Sequence, residues 1–163
     1  MRSCLVLLFL LCAIPAWGAE KVSPDIFSMP CARYKVPLSL VLAIAHVESR
    51  LHPWAVNVAG RSYSPSTREE ALLIIGKARE RGLSHDIGLM QINNWWLKRL
   101  GISPETAIEP GNNALIGVWI LAQEIQRHGL TWRAVARYHT PATDSLRGKT
   151  YATNVIKAMR KIR

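Results

Sequence analysis

A carboxylate at Glu48 and a run of glycine and amides at Asp86–Asn93 (DIGLMQIN) are the residues of this chain best suited to proton transfer and polar recognition. Glu48 stands near the C-terminal end of Leu40–Arg50 (LVLAIAHVESR). Leu40, Val41, Leu42, Ile44, Ala45 and Val47 make that stretch apolar on nearly every side, as in a helix buried in a core. Desolvation and the negative end of the helix dipole both disfavour a charged carboxylate there. A carboxylic acid that keeps its proton near neutral pH is what a glycosidic oxygen needs as a donor. The plainer alternative is a Glu48 that frays into solvent or pairs with Arg50. In the second run, Gly88 gives backbone freedom and Leu89, Met90 and Ile92 offer apolar contact. Gln91 and Asn93 carry amides that donate to and accept from sugar hydroxyls and acetamides.

The order of the fragments is more specific than either run. A helix ending in Glu48-Ser49 is followed by Gly88-Leu89-Met90-Gln91, then by Asn113 ahead of an apolar helix, then by Tyr138. In this order the chain resembles the soluble lytic transglycosylase family, lysozyme-like enzymes that cut bacterial peptidoglycan. The likeness covers nearly all of the chain beyond the leader. It implies cleavage of the β-1,4 bond between N-acetylmuramic acid and N-acetylglucosamine, with Glu48 as acid and then base. The sugar's own 6-hydroxyl closes a 1,6-anhydro ring in that chemistry. By motif, Ser49, Gly88, Leu89, Met90, Gln91, Asn113, Tyr138 and Tyr151 inherit substrate-binding roles. Ser49 would orient Glu48 or an acetamide, or be an ordinary serine at a helix end. Asn113 matches the family asparagine four positions before Gly117, and also reads as a helix N-cap. Tyr138 corresponds to a tyrosine that hydrogen-bonds near the glutamate, and Tyr151 to a second one opening the last helix. The match is partial where Arg137-Tyr138-His139 replaces the usual Ala-Tyr-Asn. A histidine there brings in the side chain whose charge changes nearest physiological pH.

A retaining glycosidase needs a second carboxylate about 5 Å from the first, and an inverting one needs it farther off. Glu69, Glu70, Glu105, Glu109, Glu124 and Asp144 read as caps or helix-surface residues, so only Asp86 lies beside a site motif. The missing nucleophile agrees with the single-glutamate chemistry that the resemblance implies. Two alternatives stay open: a lysozyme-like hydrolase on the same scaffold, and a non-catalytic wall-binding assembly factor. No cofactor is expected. The histidines His46, His52, His85, His128 and His139 show no ligand spacing, so no metal is expected either, and His46 reads as structural.

The 163 residues suit one domain, and 21 Lys and Arg against 11 Asp and Glu give a net charge of +10. Such a charge suits an anionic partner. The basic residues are dispersed except for Lys157, Arg160, Lys161 and Arg163, and no nucleic-acid motif accompanies them. An anionic wall matrix fits better. Residues 1–19 read as a signal peptide, with Arg2 before the apolar run Cys4–Ile14 and small residues at Ala16 and Gly18. A periplasmic domain over 20–163 follows, with no lipid anchor at Cys12 and no stable membrane anchor once the leader is cut. An uncleaved signal anchor is the alternative. Cys31 is then a lone cysteine, expected as a small buried hydrophobe without a disulfide.

The elements needed to hold these residues are nearly all helical. A first helix is expected over Ser23–Arg33, capped at Ser23, followed by the Glu48 helix with Pro37 in its first turn and Pro53 as its stop. His52–Pro65 reads as loop or short irregular strand. Ser66-Thr67-Arg68-Glu69 reads as a capping box opening a helix that closes at Gly82. This inserted helix, about 66–82, is similar to the insertion in transglycosylases of type IV secretion and conjugation systems. It implies work for a secretion, conjugation or pilus apparatus, or is otherwise a solvent-facing brace. Helices are further expected over Asn94–Leu100, after Ser103-Pro104, from Asn112 or Asn113 to His128, over Trp132–Tyr138, and over Lys149–Lys161. Trp95 or Trp96 would line a sugar groove or pack in the core. The expected fold is therefore mainly α, a single compact helical domain with a groove, of the α+β lysozyme-like class.

Overall fold

A computed structural model describes residues 22–162; the signal-peptide reading and Arg163 lie outside them. A 3-10 turn at Pro24–Phe27, capped by the Ser23 hydroxyl, leads into α1 (Ser28–Tyr34) and then α2 (Leu38–Ser49). Pro37 is the N-cap of α2 rather than part of its first turn. The stop comes earlier than Pro53: Arg50 and Leu51 take left-handed φ of 56° and 63°, and Arg50 N–H donates back to His46 O. The chain therefore turns sharply one residue after Ser49.

The stretch that follows contains more sheet than its sequence suggests. β1 (Val56–Val58), β2 (Arg61–Tyr63), β3 (His85–Ile87) and β4 (Ile92–Asn93) form an antiparallel sheet in the order β2-β1-β3-β4. Strands of two or three residues are too short for alternation to show. The register sets Asn57 opposite Asp86, and Asp86 opposite Asn93. α3 (Arg68–Glu80) interrupts the sheet between β2 and β3. Its cap is Thr67, whose hydroxyl accepts from Glu70 N–H, while the Glu70 carboxylate accepts from Ser66 N–H. The box thus sits one residue later than the Ser66–Glu69 reading. Ala71, Ile75 and Ala78 on α3 are buried, and Arg68 ion-pairs with Glu109, so the helix is part of the core as well as a brace.

Five helices complete the described fold: α4 (Asn94–Leu100), α5 (Pro104–Ala107), α6 (Pro110–His128), α7 (Trp132–His139) and α8 (Leu146–Ile162) follow in that order. α6 starts at Pro110, where proline's missing N–H costs nothing, so neither Asn112 nor Asn113 is the cap. Asn113, Ala114, Ile116, Gly117, Ile120, Leu121 and Glu124 form its buried face. α2 packs on α8, α6 on α7, and α7 on α8. Buried Glu124 helps dock α7, with Arg127 at 3.1 Å and Arg137 of α7 at 3.5 Å. Phe27, Ile44, Ile75, Ile87, Leu89, Met90, Ile92, Ile108 and Leu121 are fully buried where these elements meet. No described helix is long and apolar enough to cross a membrane. The architecture is mainly helical, with one small antiparallel sheet as its β part.

Candidate active site

Glu48 lies in the last turn of α2, with its side chain 11% exposed. Tyr151 Oη, from the buried side of α8, donates to Glu48 Oε1 at 2.6 Å. Burial, and then the Glu48 charge, hold the Tyr151 phenol well above its usual range, so it remains a donor.

Beside this carboxylate the Gly88–Gln91 segment makes a tight turn whose backbone is held from every side. Gly88 has φ +76° and Gln91 +46°, and Gln91 N–H donates to Gly88 O at 3.2 Å. A Cβ on Gly88 would lie 2.3 Å from Asn113 Nδ2, so both space and conformation demand glycine. Asn113 is fully buried, its Oδ1 accepting from Met90 N–H at 2.8 Å. Its Nδ2 donates to Ile87 O at 3.0 Å and Ala107 O at 2.9 Å. Ser49 Oγ donates to Leu89 O at 2.8 Å, from the residue beside the glutamate. Tyr138 Oη donates to Met90 O at 2.7 Å, and burial, then the Glu48 and Asp86 charges, keep its proton on. Gly117 admits the Met90 side chain, which a Cβ there would meet at 2.5 Å.

The motif residues scattered through the sequence therefore come together as one hydrogen-bonded unit. Leu89, Met90 and Asn113 lie wholly inside it, because satisfying this backbone requires donors and acceptors from beneath. Gln91 is half-buried; its Nε2 donates to Gly88 O at 2.9 Å and Ala55 O at 3.1 Å. Its Oε1 receives no protein donor among the described residues, and is free to accept from a sugar hydroxyl or acetamide N–H. Trp96 packs edge-on to Trp119, whereas Trp95 is 56% exposed with the Arg99 guanidinium over its ring.

Asp86 accepts from Asn93 Nδ2 at 2.7 Å, and makes no hydrogen bond with Glu48. Burial raises its carboxyl above the ordinary range, against the lowering effects of Asn93, His139, His85 and Arg147. Cys31 is a free, buried thiol pushed up to about 11 by burial, hence an inert core residue.

Two basic residues complete the surroundings. His139, the last residue of α7, stacks flat on Tyr151 with ring centres 4.3 Å apart, and its Nδ1 lies 3.8 Å from Glu48 Oε1. Arg147, just inside α8, donates from Nε to His139 Nε2 at 3.1 Å. Gly148 allows this return of the chain, since a Cβ there would lie 2.4 Å from Thr143 O. Arg147 was not identifiable in the sequence. Only the Arg137-Tyr138-His139 departure pointed to this corner.

A nearly buried carboxyl group, with one oxygen occupied by a phenol and a polar turn beside it, can donate a proton and take one back. The transglycosylase SLT domain family matches residues 25–158 of the chain. Invasion protein IagB of Salmonella typhi is 26% identical over 166 residues, covering 98% of this chain and 86% of that protein. Protein virB1 of Agrobacterium fabrum is 34% identical over 111 residues, covering 65% of this chain. Type IV secretion system protein virB1 of Brucella abortus is 28% identical over 98 residues, covering 59% of it. The chain spans only 45% and 41% of these two virB1 proteins. No solved structure matches the chain. With the match running from the first helical turn to the last helix, the chain belongs to the transglycosylase SLT family and is a lytic transglycosylase acting on peptidoglycan.

Proposed function

We propose that Glu48 is the single acid and base of this reaction. The observation that carries the reading is its place: at the end of an apolar helix, nearly buried, Oε1 bonded by Tyr151, beside the clamped turn at 88–91. Protonated Glu48 gives its proton to the oxygen of the bond between N-acetylmuramic acid and N-acetylglucosamine. The C1–O bond breaks, the N-acetylglucosamine side leaves with a 4-hydroxyl, and positive charge develops at C1. The carboxylate then takes the proton of the 6-hydroxyl as that oxygen attacks C1, closing the 1,6-anhydro ring and restoring the acid. No second carboxylate is required, which accords with Asp86 being bonded to Asn93. Gln91 Oε1 supplies a polar contact to the glycan. Gly88, Leu89, Met90, Asn113, Ser49 and Tyr138 shape the turn that carries it.

The enzyme acts in the periplasm, opening the wall locally for a secretion, conjugation or pilus apparatus. Support comes from the names of its relatives, an invasion protein and a type IV secretion system protein. Lys157, Arg160 and Lys161, exposed on α8, suit attraction to the anionic wall or to an apparatus component.

Digestion of purified sacculi tests the reading. Wild-type protein is expected to release muropeptides with 1,6-anhydro ends, and Glu48→Gln, nearly isosteric, to release none while keeping its thermal transition. Reducing ends from the wild type would make it a hydrolase. Digestion by Glu48→Gln would remove Glu48 from the mechanism.

A further inference from the structure

We propose that His139, fixed by Arg147, is a positioning residue that decides which oxygen of Glu48 carries the transferable proton. The inference rests on Glu48 being the acid. Arg147 Nε lies 3.1 Å from His139 Nε2. A guanidinium donates and never accepts, so Nε2 is the bare, accepting nitrogen, and a neutral imidazole then has its one proton on Nδ1. Nδ1 is the atom turned toward Glu48 Oε1, at 3.8 Å. The flat stack on Tyr151, only 4° from parallel, resists a ring flip that would exchange the two nitrogens.

Oε1 thus receives the Tyr151 hydroxyl as its hydrogen-bond donor, and the positive end of the His139 Nδ1–H dipole faces the same oxygen from 3.8 Å. Oε1 is the accepting oxygen. The acid proton sits on Oε2, which no protein donor reaches among the described residues. Besides Glu48, Tyr151 and Arg147, the charged group bearing on His139 is Asp86 of β3. Protonating His139 would make donors of both nitrogens, break the Arg147 contact and set a full positive charge against Oε1. An asparagine at 139 also offers an N–H, but it has no second ring nitrogen for an arginine to fix.

Two measurements test this. In ¹⁵N-labelled wild-type protein, the imidazole nitrogen shifts of His139 should report the proton on Nδ1, and Arg147→Met should abolish that preference. On purified sacculi, His139→Phe, which keeps the stack, should lower kcat about tenfold at constant KM, the split expected of a group that acts on the acid and not on glycan binding. His139→Asn should retain kcat within tenfold. A wild-type proton on Nε2, or a His139→Phe enzyme with unchanged kcat, overturns the proposal. Should His139→Phe fail to fold, the wild-type tautomer decides alone. Digestion by Glu48→Gln would sink the general-acid reading instead, and the tautomer measurement does not depend on it.

Discussion

Tyr151 and Glu48, 103 residues apart in the chain, meet at 2.6 Å, and this one contact joins the last helix to the carboxylate of the second. A hydrogen bond to a charged group is worth about 1.5–3 kcal/mol. Tyr151→Phe should therefore lower kcat by about ten- to a hundredfold while preserving the ring stack on His139. Steady-state digestion of sacculi, with the thermal transition as control, checks this. A loss below threefold would show that Oε1 needs no donor.

Asn113 should matter more to stability than its type suggests. Asn113→Ala leaves Met90 N–H, Ile87 O and Ala107 O without partners in the core. At about 1–3 kcal/mol for each unsatisfied group, a total loss of at least about 3 kcal/mol is expected in urea unfolding.

Gly88 and Asn113 should be energetically coupled. The Cβ of Gly88→Ala collides with the Asn113 amide, so that substitution should cost less in an Asn113→Ala background than in the wild type. The left-handed φ of +76° remains in both, and leaves a residual cost of about 1 kcal/mol. Additive losses in a double-mutant cycle would mean the turn relaxes away from α6.

Asp86 gives a pH-dependent prediction. Its folded-state carboxyl is raised above the ordinary value of 3.8, chiefly by burial, so the folded protein holds that proton more tightly than the unfolded one. The stabilisation from this is fully present below pH 3.8 and is lost as pH rises through the folded-state value. Asp86→Asn, whose amide oxygen still accepts from Asn93, should be more stable than wild type at pH 7. The gap should close as the solution is acidified, in urea titrations at a series of pH values.

Cys31, buried with its thiol at about 11, should resist iodoacetamide at pH 8 in the native protein and react once urea unfolds it. Mass spectrometry of the Cys31 peptide reads this directly.

The candidate site was legible in the sequence where a motif keeps its residues together, and less so where folding brings strangers together. Glu48, the Gly88–Gln91 run and helix Asn94–Leu100 could all be read from local signals. The capping box was misplaced by one because Ser66 and Thr67 are equally good caps, and only the Glu70 side chain settles which is used. Asn113 looked like a cap because asparagine usually is one. Its burial depends on α6 starting at Pro110 and on the turn it holds. The strands were too short to show a period. Arg147 reaches His139 around a loop that closes only because Gly148 has no side chain, and no local pattern signals that.

The Glu48–Tyr151 contact also orders events during synthesis. α2 leaves the ribosome about a hundred residues before α8, given the 103-residue separation, so the nascent chain has its carboxylate long before that carboxylate has its phenol. A chain stalled or clipped ahead of Tyr151 holds Glu48 without its donor and without the helix on which α2 packs. Incomplete copies thereby hold the carboxylate without the one contact that the folded protein gives its Oε1 from α8.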